Sequence, residues 1–184
     1  MSTLIKLING FGFPCVVLAK GILLDSLAKL SDANTCGITL VSLDESFRER
    51  MEPGAANLLK MVGALRTLHD AGCKTWVSME PYPTPNVCEQ KLMPILEADS
   101  FVDRIVFGRT HYDKLTSRYM NHGAFYLDAV ARARGFCEER STSCYIKTRT
   151  ADYSVSGCDS GFATASRPES IGLRADFFVS TIQK

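Results

Sequence analysis

The chain has 184 residues, of which 46% are hydrophobic and 22% are charged, as expected for a folded domain with a sizeable core. Its formal net charge of +1 provides no bulk attraction to nucleic acid or to an anionic membrane. No apolar run is long enough to span a bilayer, and residues 1–18 lack the basic start and clean apolar core of a signal peptide. We therefore expect a cytoplasmic protein with no membrane partner.

Short apolar segments alternate with helical patterns between residues 15 and 147. The predicted strands are 15–19, 37–43, 74–80, 102–107 and 143–147. The predicted helices follow Gly21 and cover 52–72, 89–98 and 123–140. Each helix is indicated by apolar residues that recur every three or four positions. Strands that are apolar on both faces are typical of parallel sheets covered by helices, and each parallel pair requires such a crossover.

This order predicts an α/β fold, with a partial parallel (β/α) barrel over residues 1–150. Five strands are too few to close an eight-stranded barrel, so an open or partial barrel and a doubly wound sheet both remain possible. Residues 151–184 are rich in Ser, Gly, Thr and Ala and have weak periodicity. We expect an irregular tail there, in which only 175–182 has the pattern of a strand.

Polar and charged residues stand where the predicted strands end. They are Lys20, Ser42, Asp44, Ser78, Glu80, Arg109 and Lys147. Parallel strands bring their carboxyl ends to one edge of the sheet, where α/β proteins build their sites. The cations could bind a carboxylate or phosphate, and the carboxylates could receive an amine, a hydroxyl or a proton. Each residue could instead be a surface charge or part of an internal salt bridge.

The seven cysteines and three histidines form no recognisable metal site in the sequence. The cysteines are widely spaced without a CxxC pair, so reduced and mostly buried thiols are expected. No two histidines have metal-ligand spacing. His111 is the histidine nearest the predicted site, and a solvated loop residue is its alternative interpretation. The sequence assigns no metal ligand and no catalytic residue.

Six short motifs occur in order between residues 15 and 150. They are Leu18-Ala19-Lys20-Gly21, residues 37–44, Glu52-Pro53-Gly54-Ala55, Trp76-Val77-Ser78-Met79-Glu80-Pro81, Phe107-Gly108-Arg109 and Tyr145-Ile146-Lys147. The set resembles radical S-adenosylmethionine enzymes related to spore photoproduct lyase, often labelled DNA repair photolyases. In that family the first motif is a TK strand end and the fourth reads WVSIEP. Ala19 stands where the family has threonine.

The resemblance implies a partial (β/α)6 barrel with a [4Fe-4S] cluster that binds S-adenosylmethionine and cleaves it reductively to a 5′-deoxyadenosyl radical. It implies that Lys20 contacts the carboxylate of S-adenosylmethionine and Ser42 its other polar groups. Glu80 and Arg109 would lie in the same pocket, and Asp44 completes the predicted cofactor-binding set. A DNA lesion is the substrate that the family suggests.

The chain departs from this family in its amino-terminal part. The family holds its cluster on CxxxCxxC after the first barrel strand, and neither that triplet nor the first strands are found here. We therefore expect the carboxyl-terminal portion of a radical S-adenosylmethionine enzyme, inactive as an isolated chain. One alternative is a non-catalytic remnant that binds S-adenosylmethionine or a nucleotide. Another is an unrelated barrel enzyme that uses Glu80 as acid or base.

Overall fold

The computed structural model of the chain describes residues 2–110 and 114–150, and the backbone of residues 177–181. The strands are β1 (Cys15–Ala19), β2 (Thr35–Thr39), β3 (Lys74–Tyr82), β4 (Arg104–Arg109), β5 (Ser143–Ile146) and β6 (Phe177–Thr181). The helices are α1 (Ser2–Gly10), α2 (Glu45–Met51), α3 (Leu58–Asp70), α4 (Leu92–Ala98), α5 (Lys114–Ser117) and α6 (His122–Glu139), with a 3-10 helix at Asp25–Lys29. No helix of the described segments is both long and apolar enough to cross a membrane.

The strands form one sheet in the order β5-β4-β3-β2-β1-β6, and every neighbouring pair is parallel. The predicted α/β class and its five parallel strands are therefore confirmed. Strands β1 to β5 follow one another in chain order, without the reversal that characterises a doubly wound sheet. The sheet is not closed, because β5 and β6 are its two edges.

One face of the sheet carries the hydrophobic core. Alternate strand residues enter a continuous buried cluster with residues from four helices: Val17, Ile38, Val77 and Ile105 of the strands, and Ile5, Leu65, Ile95 and Phe136 of α1, α3, α4 and α6. Right-handed crossovers between consecutive parallel strands place their helices on a single face in this way. The side chains at the intervening positions of β1 to β5 point to the opposite face of the sheet.

We call this opposite face the polar face. One row across it consists of Leu18, Gly37, Trp76, Arg104 and Ser143, which are register partners on successive strands. The next row consists of Thr39, Ser78, Val106 and Tyr145. The indole of Trp76 lies against Gly37, where an added Cβ would come within 2.5 Å of the ring. Glycine at this position is therefore required by packing.

The start of the third helix differs from the sequence prediction. Glu52-Pro53-Gly54 was expected to open it, but α3 begins at Leu58. The side chain of Asn57 accepts a hydrogen bond from the Lys60 N–H at 3.2 Å and thereby caps α3. Gly54 has a φ of +92°, outside the helical region, so the chain turns there. The predicted start at Glu52 is wrong.

Three other segments also depart from their predictions. No helix was predicted for residues 45–51, which form α2, while the predicted helix after Gly21 is a short 3-10 turn. The polar connection after β4 contains α5, and α1 was not predicted. In the tail, the strand-like segment 175–182 contains β6, which pairs with β1. The predicted irregular remainder of 151–184 lies outside the described residues.

A carboxyl group is buried beneath the sheet at the end of α4. Asp99 is fully buried, and neither of its carboxyl oxygens has a hydrogen-bond partner in the described structure. Burial raises the pKa of Asp99 to about 8, although the nearby Arg66 acts in the opposite direction. Asp99 is therefore largely protonated in the folded protein at neutral pH.

Replacing this group gives a prediction about stability. The folded state keeps a proton on Asp99 that the unfolded state releases above its ordinary pKa of 3.8, so the free energy of unfolding should fall between about pH 4 and pH 8. The slope from this group should be at most about 1.4 kcal/mol per pH unit. Asp99→Asn should remove it. Urea unfolding at pH 5 and pH 8 measures the free energy of unfolding of the wild type and of Asp99→Asn. If the difference between the two proteins is the same at both pH values, Asp99 does not have the raised pKa.

Candidate functional site

The predicted site residues lie at one edge of the sheet, where all strands end. Lys20 follows β1, Ser42 and Asp44 follow β2, Glu80 is near the end of β3, and Arg109 ends β4. Because the sheet is parallel throughout, the prediction that these positions share an edge is confirmed. The side chains, however, engage different partners.

Glu80 forms an ion pair with Lys147, which follows β5. Met79 pairs with Phe107 and Phe107 pairs with Ile146, so Glu80, Gly108 and Lys147 come next along the three strands; the register of β3 and β4 shifts between Met79 and Tyr82. Strands β3 and β5 are two strand spacings apart, about 10 Å, with β4 between them. The side chain of Glu80 is 20% exposed and that of Lys147 is 45% exposed. The pair is therefore partly shielded from water.

Gly108 makes this ion pair possible. It lies on β4, between the strands that carry or precede Glu80 and Lys147, and a Cβ added to it would come within 2.9 Å of both Cγ and Cδ of Glu80. Any larger residue would occupy the space through which the glutamate side chain crosses β4. The sequence signal was the Phe107-Gly108-Arg109 motif, but its glycine was not among the predicted site residues.

Lys20 is held by a second ion pair. Its Nζ lies 2.6 Å from Oε1 of Glu52, whose side chain is 16% exposed. The backbone N–H of Ala56 also donates to the Lys20 carbonyl at 3.0 Å. The Glu52-Pro53-Gly54-Ala55 segment thus closes over the end of β1 instead of opening a helix. Sequence reasoning missed Glu52 as the partner of Lys20, although the motif itself was recognised.

Ser42 and Asp44 shape the loop between β2 and α2. Ser42 is buried, its Oγ accepts a hydrogen bond from the Asp44 N–H at 3.0 Å, and it lies 3.9 Å from the Cys88 sulfur. The Asp44 carboxylate accepts hydrogen bonds from the Ser46 N–H and hydroxyl at 2.9 and 2.8 Å. These bonds to Ser46 lower the pKa of Asp44 and make it the N-cap of α2. Both residues have evident structural roles.

Arg109 lies beside a hydrogen-bond network that fixes the ends of β3 and β4. Arg109 is half-buried and is the register partner of Tyr82. The Tyr126 hydroxyl donates to the Tyr82 carbonyl at 2.7 Å and accepts from the Thr110 N–H at 3.2 Å. The Thr110 hydroxyl donates to the same carbonyl at 2.9 Å. His111, the histidine predicted to be near the site, lies outside the described residues.

The described residues do not fit an iron–sulfur cluster. No group of three His, Cys, Asp or Glu side chains among them could hold a metal ion. The six described cysteines are free thiols: Cys15, Cys36, Cys73, Cys88, Cys137 and Cys144. Burial is the main reason that the pKa of Cys36 and of Cys137 is raised to about 12, which keeps both thiols protonated. Cys158 lies outside the described residues.

The comparisons with known proteins return no match. Neither a scan against protein-family models, nor a search of curated proteins, nor a search of solved structures finds a similar protein.

The role of Gly108 can be tested by adding one methyl group. Gly108→Ala should displace Glu80, break its contact with Lys147 and lower the free energy of unfolding by about 1 to 3 kcal/mol. The matched control is Gly63→Ala in the middle of α3, where an added Cβ meets no atom within 4 Å. That control should stabilise the protein by about 0.5 to 1 kcal/mol. Urea unfolding measures both, and equal effects in the two variants would refute the packing argument.

Proposed function

We propose that the chain is the carboxyl-terminal part of a radical S-adenosylmethionine-type barrel and that its carboxyl edge binds S-adenosylmethionine. The observation that carries the proposal is the Glu80–Lys147 ion pair at the carboxyl edge of the polar face. The sequential order of β1 to β5 supports it, because barrels of parallel strands have this order and keep their helices on one side. The motif resemblance adds the cofactor class.

The ion pair suits a zwitterionic ligand. The amino-acid end of S-adenosylmethionine carries an α-ammonium and an α-carboxylate at neighbouring atoms. Inserted between the two side chains, its ammonium would meet the carboxylate of Glu80 and its carboxylate would meet the ammonium of Lys147. Two charge-assisted contacts would replace one, and both Glu80 and Lys147 would keep a partner of opposite charge.

The proposal revises the role that the resemblance assigns to Lys20. Lys20 pairs with Glu52, whereas Lys147 lies beside Glu80, the carboxylate proposed to receive the ligand ammonium, so the proposal assigns the ligand carboxylate to Lys147. Lys20 and Glu52 would instead close the site at β1, about two strand spacings from β3. Ser42 would act through the shape of the β2–α2 loop, since its hydroxyl is buried and bonded within that loop.

The proposal concerns binding, and no radical step is assigned to this chain. The described cysteines do not fit the [4Fe-4S] cluster that the family uses to cleave S-adenosylmethionine. A DNA lesion as the substrate of an intact enzyme is an expectation of the resemblance alone. A role for Glu80 as a free acid or base is less well supported, because its carboxylate is engaged by Lys147.

Calorimetric titration tests the proposal with two ligands. S-adenosylmethionine should bind, and 5′-methylthioadenosine, which lacks both the amino-acid end and the sulfonium charge, should bind at least about tenfold more weakly. Glu80→Gln and Lys147→Met should each weaken S-adenosylmethionine binding by about tenfold to a hundredfold, because each removes a charge-assisted contact. Neither change should affect 5′-methylthioadenosine to the same extent.

The control is Glu97→Gln, which removes one exposed carboxylate on α4 away from this edge. It should leave both affinities unchanged. Absence of S-adenosylmethionine binding by the wild-type chain would overturn the proposal, as would equal affinity for the two ligands.

A further inference from the structure

A cavity lies at the other end of the polar face, where the strands begin. Its volume is about 530 Å³, within the range of pockets that bind small molecules. Trp76 forms part of its floor together with Val16 and Val106, and Lys74 and Arg104 line it. Arg104 is the register partner of Trp76, and Lys74 lies two residues before Trp76 on the same face of β3.

The cavity has an excess of positive charge. Lys74 and Arg104 are both exposed, and neither forms an ion pair with another residue of the described segments. The one lining carboxylate belongs to Asp103, and its Oδ2 accepts hydrogen bonds from the Thr75 N–H at 2.6 Å and the Thr75 hydroxyl at 3.2 Å. That carboxylate is therefore already satisfied by β3, while neither cation pairs with a carboxylate of the residues that the structure describes.

The floor of the cavity is apolar and fixed. Trp76 is 8% exposed, and its indole is held against Gly37, where no side chain separates it from the backbone of β2. Val16 and Val106 extend the apolar surface on either side of Trp76. An apolar floor beside two cations favours an organic anion that has a flat ring at one end and a phosphate at the other.

We propose that this cavity binds a free nucleotide, with its phosphate on Lys74 and Arg104 and its base against Trp76 and the two valines. The proposal does not depend on the binding of S-adenosylmethionine at the carboxyl edge. The two sites lie at opposite ends of the strands, since Lys74 begins β3 and Glu80 lies near its end.

Trp76 provides the measurement, because it is the one tryptophan in the 184-residue chain. Adenosine monophosphate should change its fluorescence in a saturable way when excitation is confined to the red edge of tryptophan absorption. Adenosine should bind about tenfold more weakly because it lacks the phosphate, and inorganic phosphate should compete with the nucleotide. Lys74→Gln and Arg104→Gln should each weaken binding of the nucleotide by about tenfold.

Two control variants make the outcome specific. Lys60→Gln removes an exposed cation on α3 and should leave nucleotide affinity unchanged. Glu80→Gln should also leave it unchanged, which separates this cavity from the proposed S-adenosylmethionine site. No saturable change with adenosine monophosphate would overturn the proposal. The same conclusion would follow if adenosine bound equally well, or if the Lys74 and Arg104 variants kept wild-type affinity.

Discussion

The contact between Glu80 and Lys147 is the interaction on which the architecture of the carboxyl edge depends. Their side chains meet across β4 because Gly108 leaves the intervening position empty. The parallel β3, β4 and β5 end side by side at this edge, and the register of β3 and β4 shifts between Met79 and Tyr82, where Glu80 lies. The register of β2 and β3 places Gly37 beside Trp76 nearer the start of the strands. Two glycines thus allow large side chains to lie across the polar face.

The two faces of the sheet differ in residue composition because only one of them is covered by helices. Side chains alternate along each strand, so a face that is covered by helices must be apolar throughout, whereas the other face is free of that requirement. The core face is filled by residues such as Val17, Ile38 and Val77. The polar face instead carries charges at both ends, with Glu80 near the carboxyl edge and Arg104 near the amino edge. Both proposed ligand sites follow from this division.

The strands could be predicted from the sequence because their signal is local. Runs of β-branched and apolar residues, ended by glycine, proline or charge, mark β1 to β5 to within about two to four residues. Helix boundaries were harder to predict from the sequence, since they depend on which polar residue caps the first turn. Glu52-Pro53-Gly54 has the composition of a helix start, yet Asn57 supplies the cap that defines α3. Residues 45–51 contain too many charged residues to show an apolar stripe. Phe47 is the one buried residue of α2.

The sequence predicted where the candidate site lies but not which of its charged residues form ion pairs with each other. Parallel strand ends must share an edge, so the location of Lys20, Glu80 and Arg109 follows from chain order alone. Which cation meets which carboxylate depends on register and on the loops, and these are properties of the folded chain. The partner of Lys20 is Glu52, 32 residues away, and the partner of Glu80 is Lys147. Buried groups such as Asp99 were likewise invisible before the packing of α4 was known.

A double-mutant cycle on Glu80 and Lys147 tests the central claim most directly. The free energy of unfolding would be measured by urea for the wild type, Glu80→Gln, Lys147→Met and the double variant. The account predicts a coupling energy of about 0.5 to 1 kcal/mol that decreases with added salt, because the pair is only partly shielded. The exposed pair Asp128 and Arg132 on α6 is the reference and should couple more weakly. Strictly additive effects at Glu80 and Lys147 would contradict the contact across β4 and the site built on it.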